Sequence, residues 1–234
     1  MVEVFDQLMS DGRLTSSNTG PLPNVVRHGD SLFTANAVPG ATVYGERLVD
    51  IDGIEHRQWN PMRSKLAALL LLCERELPLK RDSRVLYLGS ASGTTASHVS
   101  DICSEGIVYC VEVSQRSFRD LVGLCEVRSN MIPIMADASL PEGFDSMVER
   151  VDFVYQDIAQ RQQTDIFLTN MRHFEAPAGV LMLKSRSVDV NRDPRRVFAE
   201  VKGKLSAEGL HVVEAVELER YSKDHAAFVV EAGL

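Results

Sequence analysis

Residues 84–112 read RVLYLGSASGTTASHVSDICSEGIVYCVE, and the rest of the chain is organised around them. Val85, Leu86 and Leu88 make the short apolar run of a buried strand. Gly89, Ser90, Ala91, Ser92 and Gly93 follow as a turn of small residues, and Thr94 and Thr95 can cap a helix reaching about Ile102. Gly106 breaks the chain, and residues 107–111 form a second strand that ends at Glu112. The unit is strand, loop, helix, strand, with an acid at the tip of the second strand. Small residues let a ligand come close to the backbone, and the first turn of a helix offers unpaired N–H groups. A carboxylate placed like Glu112 accepts hydrogen bonds from ribose hydroxyls.

Two enzyme classes use such a unit, dinucleotide-dependent oxidoreductases and S-adenosylmethionine (SAM) methyltransferases. The loop here is G-x-x-x-G rather than the dinucleotide G-x-G-x-x-G, which favours SAM. The alternative is a crossover with a small-residue turn and no ligand; the coincidence of turn, cap and acid weighs against it.

The flanking chain extends the pattern. Residues 117–128, 164–174 and 194–205 have helical spacing; residues 131–135, 151–155 and 179–183 read as strands between them. This alternation predicts a mostly parallel α/β sheet. Two successive strands, 210–218 and 226–231, predict a terminal antiparallel hairpin, the usual ending of a SAM methyltransferase and foreign to a dehydrogenase. On the other side, Asn60-Pro61 opens a helix to about Glu76, with Asn60 as cap. Before it, strand-like runs at 2–5, 25–28, 31–36, 46–51 and 55–59 alternate with turns, and Asp52-Gly53 marks a hairpin. The expected organisation is therefore a small antiparallel β domain at 1–59 and a Rossmann-like SAM methyltransferase domain at 60–234.

Composition bounds the function. The 234 residues are 44% hydrophobic and carry 25 basic against 33 acidic side chains, a net charge of −8. Phosphate contacts dominate nucleic-acid affinity, so a chain this acidic is a poor RNA binder alone, though a partner can deliver RNA to it. The β region is acidic too, a lid or a protein-docking platform rather than an RNA surface. Cys73, Cys103, Cys110 and Cys125 lack C-x-x-C and His spacing and read as reduced thiols, with no metal site. The N-terminus has no signal-peptide core, and the apolar run 66–73 is too short to span a bilayer, so a cytoplasmic location without membrane contact is expected.

In an open α/β sheet ligands bind at the carboxyl ends of the strands. Gly89, Glu112, Asp137, Asp157 and Lys184 all fall at or just beyond strand ends. Asp157 and Lys184 end neighbouring strands, so they can meet, either as a structural ion pair or as a functional pair facing the cleft. Lys65, near the positive end of a helix, is electrostatically misplaced there.

Several blocks resemble the archaeal fibrillarin family: VYGERLVDIDGIEHRQWNPMRSKLAALL from Val43, YLGSASGTTASHVSD, VYCVEVS, NMIPIMADA, YQDIAQ, LKSRSVDV and KDHAAFVV. The resemblance runs in order over residues 43–230. It implies guide-RNA-directed 2′-O-methylation of ribose in ribosomal RNA, with SAM and no metal, and leaves open whether transfer RNA is a target too. Implied partners are a Nop-family scaffold protein, a kink-turn-binding ribosomal-type protein, a box C/D guide RNA and the rRNA or tRNA substrate. The implied catalytic set is Lys65, Asp157, Lys184 and His225, with Lys184 as base or alkoxide partner oriented by Asp157. Lys65 and His225 would position ribose and phosphates. Implied SAM contacts are Gly89, Ala91, Ser92, Gly93, Thr94, Thr95, Glu112, Val113, Asp137, Ala138, Asp157 and Gln160. From the residues alone, His225 reads as a turn residue before an edge strand. Arg186, Arg192, Arg195 and Arg196 are assigned to the RNA backbone. Three departures from the family pattern are small: Ser90, His56 and Gln156, where the family often has Ala, Tyr and an acid; Gln156 is expected to shift the charge near the sulfonium. A SAM enzyme acting on a protein acceptor such as glutamine, and a SAM-binding scaffold without catalysis, are the competing readings.

Overall fold

The structure, a computed structural model, describes residues 20–233. The strand expected at 2–5 lies outside the described residues. The described residues form two sheets. In the small one, β1 (Val25–His28), β2 (Ser31–Ala35), β3 (Leu48–Ile51) and β4 (Ile54–Trp59) pair antiparallel in the order β1-β2-β4-β3. Asp52 and Gly53 turn β3 into β4 with φ of 54° and 82°, the two positive φ values of a type I′ hairpin.

The large sheet has the order β10-β11-β9-β8-β5-β6-β7. Its strands are β5 (Arg84–Leu88), β6 (Ile107–Glu112), β7 (Met131–Met135), β8 (Phe153–Gln156), β9 (Ala178–Lys184), β10 (Leu210–Glu217) and β11 (His225–Ala232). Strands β5 to β9 run parallel, while β11 inserts antiparallel between β9 and β10. The expected α/β sheet with its terminal hairpin is therefore the fold. The buried central strands are continuous apolar runs because helices cover both faces. These helices are α1 (Lys65–Leu72), α2 (Thr94–Ile102), α3 (Gln115–Glu126), α4 (Gln163–His173), the single turn α5 (Ser185–Val188) and α6 (Pro194–Ala207).

One helix departs clearly from expectation. Asn60-Pro61 forms a turn, not a helix start: the Asn60 carbonyl accepts from Arg63 and Ser64 N–H, and its side chain from Met62 N–H. Ser64 is the cap, its hydroxyl accepting from Ala67 N–H at 3.3 Å, so α1 opens on Lys65 itself. The helix stops at Leu72, and beyond it Cys73 Sγ–H and Glu74 N–H both donate to the Glu214 carboxylate of β10. The α2 cap is Gly93, not Thr94 or Thr95, and Ser114 starts α3 earlier than expected. Other boundaries shift by one or two residues.

The small sheet shares a core with the large one. Leu32 and Trp59 pack in one cluster with Leu66, Tyr87, Val99 and Tyr155. Across this junction lies a buried ionic network. Arg57 on β4 donates to Glu46 at 2.7 Å, to Asp101 at 3.0 Å and to Ser97 at 2.9 Å. Arg128 donates to the other Asp101 oxygen at 2.7 Å. Two guanidinium groups face two carboxylates, and the side chains are essentially inaccessible to water. His98 extends the network. The Thr34 hydroxyl donates to Asp101, so His98 Nδ1–H donates to Thr34 Oγ1 (2.8 Å), while the Tyr44 hydroxyl lies 2.9 Å from Nε2 and 3.0 Å from the Gln58 carbonyl. Trp59 stacks on the imidazole with centroids 4.8 Å apart. Burial, then the charges of Arg57 and Arg128, hold His98 well below the usual histidine pKa. Among the described residues no helix is long and apolar enough to cross a membrane.

Candidate active site

At the carboxyl ends of β5, β6, β7 and β8 lies a cleft of about 260 Å³. Gly89, with φ of +81°, forms its floor. A Cβ there would stand 2.6 Å from the Asp157 carbonyl, so only glycine lets the loops after β5 and β8 touch. Ala91 follows in the same left-handed region, φ 48°, which aims its N–H at Glu112 Oε2, 2.8 Å away. Ser114 N–H donates to the other oxygen at 2.7 Å. Glu112 is thus clamped by two backbone donors at the mouth of a buried strand, and each oxygen keeps a lone pair for a vicinal diol.

Val113, Ala138 and Ile158 give the cleft apolar lining, and Asp137 lines it as well. Ser139 fixes one Asp137 oxygen through its N–H and its hydroxyl, at 2.9 and 2.8 Å. A carboxylate on a diol, apolar walls for a flat base and a second acid for an exocyclic amine together fit an adenosine-type cofactor.

Of the residues assigned to the cofactor, Gly89, Ala91, Glu112, Val113, Asp137, Ala138, Asp157 and Gln160 line this cleft. Ser92, Gly93, Thr94 and Thr95 do not. They form the loop tip and first turn of α2, and the Thr95 hydroxyl donates to Ser64 Oγ at 3.0 Å, joining α2 to the cap of α1. Ala136, Ile158 and Ala159 line the cleft without having been singled out in the sequence. Small apolar residues beside a strand end carry no signal that separates them from core.

At one end of the cleft the polar set comes together. Lys65 Nζ donates to both Asp157 oxygens, at 2.9 and 2.8 Å, with about a quarter of each side chain exposed. Asp157 therefore pairs with Lys65 across 92 positions of sequence, not with Lys184 as the neighbouring strand ends suggest. The pair also accounts for a cation on the first residue of a helix: the carboxylate offsets the unfavourable dipole. Lys184 ends β9 directly opposite His225, which opens β11. Among the described residues, no carboxylate stands within 4.0 Å of the Lys184 ammonium.

His225 Nδ1 lies 2.6 Å from the Lys223 carbonyl, so Nδ1 carries the proton and Nε2 the lone pair. Burial lowers its pKa first; the Lys65 and Lys184 charges lower it further, against Lys223 and Asp157. Tyr87 and Tyr155 lie under the set with ring centroids 4.6 Å apart. Burial first, with the Asp157 charge adding to it, pushes both phenols well above their ordinary pKa, so both rings stay uncharged. Gln156 is buried, its Nε2 donating to the Gln163 carbonyl at the start of α4.

The basic cluster is engaged within the protein. Arg186 pairs with Asp224 at 3.1 Å, Arg195 with Glu217 at 3.4 Å, and Arg192 with Glu200. Arg196 is exposed, with no ion pair among the described residues. No group of His, Cys, Asp and Glu among the described residues is arranged to hold a metal.

Comparison with known proteins adds an independent line. The family model Fibrillarin matches residues 23–233. The fibrillarin-like rRNA/tRNA 2′-O-methyltransferase of Methanothermobacter thermautotrophicus is 50% identical over 204 residues, 86% of this chain and 91% of that protein. A solved fibrillarin/Nop5p complex contains a chain 40% identical, with a TM-score of 0.83 over 90% of this chain and 98% of that one. Aeropyrum pernix fibrillarin, solved with natively bound S-adenosyl-L-methionine, is 42% identical with a TM-score of 0.79, over 88% of this chain and 92% of that one.

Proposed function

Because the chain belongs to the fibrillarin family, we propose that it is the catalytic subunit of a guide-RNA-directed box C/D ribonucleoprotein. The reaction is SAM-dependent 2′-O-methylation of RNA, on ribosomal and transfer RNA. The observation that carries the assignment of roles is one carboxylate, Asp157, shared between a cofactor cleft and a set of three nitrogen bases from three different elements.

Bound SAM supplies a methyl group made electrophilic by its sulfonium. Glu112 holds the ribose diol, Asp137 the adenine amine, and Val113, Ala138 and Ile158 the faces of the base. Asp157 fixes Lys65 and places negative charge at the sulfonium end. Lys184 Nζ takes the proton of the 2′-hydroxyl or donates to the developing alkoxide. Its lack of a carboxylate partner leaves it to the substrate. Neutral His225 offers Nε2 as an acceptor beside it, and the Lys65 ammonium meets the phosphate.

Recruitment is proposed to come from outside the chain. A net charge of −8 and basic side chains already tied to carboxylates are poor equipment for gripping RNA alone. A Nop-family scaffold, as in the fibrillarin/Nop5p complex, with a kink-turn-binding protein and a box C/D guide, would hold the target ribose at Lys184. The work is proposed to take place in the cytoplasm. Labelled SAM, a target RNA and the reconstituted complex test this. Label on the ribose opposite the guide, lost when the guide is omitted, is expected; label that persists without the guide overturns guided selection.

A further inference from the structure

Lys184 has no side-chain anchor of the kind that Asp157 gives Lys65, so its position depends on its main chain. Strand β8 ends at Gln156, opposite Leu181, three residues before Lys184. The edge of β9 facing β8 would therefore expose the Lys184 N–H and C=O with no strand to receive them. Gln163, the first residue of α4 and wholly buried, fills the gap. Its Oε1 accepts from Lys184 N–H and its Nε2 donates to the Lys184 carbonyl, both at 3.0 Å. A side-chain amide thus stands where a strand peptide would, closing a two-bond ring on one residue.

On the other edge, the Asp224 carbonyl accepts from Ser185 N–H and Oγ–H, both at 3.0 Å. Gln163 is itself fixed: Gln156 Nε2 donates to its carbonyl, and its N–H donates to Gln160, which lines the cofactor cleft. We infer that Gln163 is the positioning residue for Lys184, an amide clamp that sets where the base stands and ties it to the cofactor loop 157–160. The inference rests on the role proposed above for Lys184.

Single-turnover methyl transfer in the reconstituted complex, at saturating SAM and RNA, tests it with four variants: Gln163→Leu, Gln163→Glu, Lys184→Ala and Gln163→Leu with Lys184→Ala. Gln163→Leu should slow transfer by about 10- to 100-fold, the scale of an ångström misplacement, while SAM affinity by calorimetry stays within about threefold, since the cleft residues are unchanged. In the Lys184→Ala background the same change should cost less than about twofold, because nothing remains to be positioned. A carboxylic acid reproduces both bonds of the amide only while protonated. The rate of Gln163→Glu relative to the unaltered protein should therefore rise as pH falls from about 8 to about 6. Gln163→Leu within about twofold of the unaltered rate, or keeping its full penalty without Lys184, overturns the inference. Should Gln163→Leu fail to fold, a flat pH ratio for Gln163→Glu overturns it. An unaltered complex that transfers no methyl, or Lys184→Ala at full rate, instead removes the functional reading beneath it.

Discussion

The charges under the small sheet and those at the cleft are built on opposite plans. Under the small sheet, Arg57, Glu46, Asp101 and Arg128 are closed to water, and Thr34, Ser97 and Ser100 take up further hydrogen bonds of the set. At the cleft, Lys65 and Asp157 are only partly enclosed, and Lys184 stands beside them without a carboxylate. A saturated set has no capacity left for a ligand and can only hold structure. A set with spare donors and lone pairs must be completed by something else, and the cleft shows where that something sits.

The sharpest break between the two comes from removing Lys184. Lys184→Ala should lower methyl transfer by about 10² to 10⁴, the typical contribution of a positioned acid or base. Its melting temperature should stay within about 2 °C, since no ion pair is lost. Replacing Arg57 is the converse. Arg57→Met leaves Glu46 buried without its cation and costs about 3–5 kcal/mol of stability, the cost of breaking one partner of a buried pair. Urea unfolding reads this directly as a lowered midpoint.

The third difference is in pH response. His98 is held neutral in the fold but binds a proton near pH 6.5 when unfolded. Its folded pKa is depressed, so the unfolded chain carries more protons below that pH. Stability is full above about pH 6.5 and declines as pH falls further. His225 is shifted the same way and adds to the decline. The His98 ring resonances should accordingly not titrate between about pH 7.5 and 5.5 while the fold persists; titration near 6.5 would show that the network tolerates a third buried cation.

The smallest effects belong to the surface. Exposed pairs such as Arg192 with Glu200 are screened by water and contribute little to stability, so charge reversal at Arg192, Arg195 and Arg196 should leave melting nearly unchanged. Guided methylation should nonetheless weaken, most at low salt, where phosphate contacts are least screened. Unchanged methylation would remove these arginines from the RNA path.

How much of this was legible beforehand follows from the range of the interactions. The Gly89 loop, Glu112, the strand alternation and the terminal hairpin are local patterns, and each lies where its spacing places it. Asn60-Pro61 misled because a cap-like pair can equally close a turn, and Ser64, four residues on, caps better in this context. Arg57 reaches Asp101 over 44 positions and Lys65 reaches Asp157 over 92; no periodicity records such partners. Gln163 is invisible for another reason. A glutamine at a helix start is ordinary until a neighbouring strand ends three residues early and leaves a peptide group to satisfy.

The central claim is that unsaturated charges do the chemistry and saturated ones hold the fold. Measuring single-turnover methyl transfer and melting temperature on Lys184→Ala and Arg57→Met side by side tests it most directly. The account predicts that Lys184→Ala loses transfer at an unaltered melting temperature. It predicts that Arg57→Met, kept well below its lowered melting point, transfers methyl near the normal rate. Transfer lost in Arg57→Met while folded, or retained in Lys184→Ala, would contradict it.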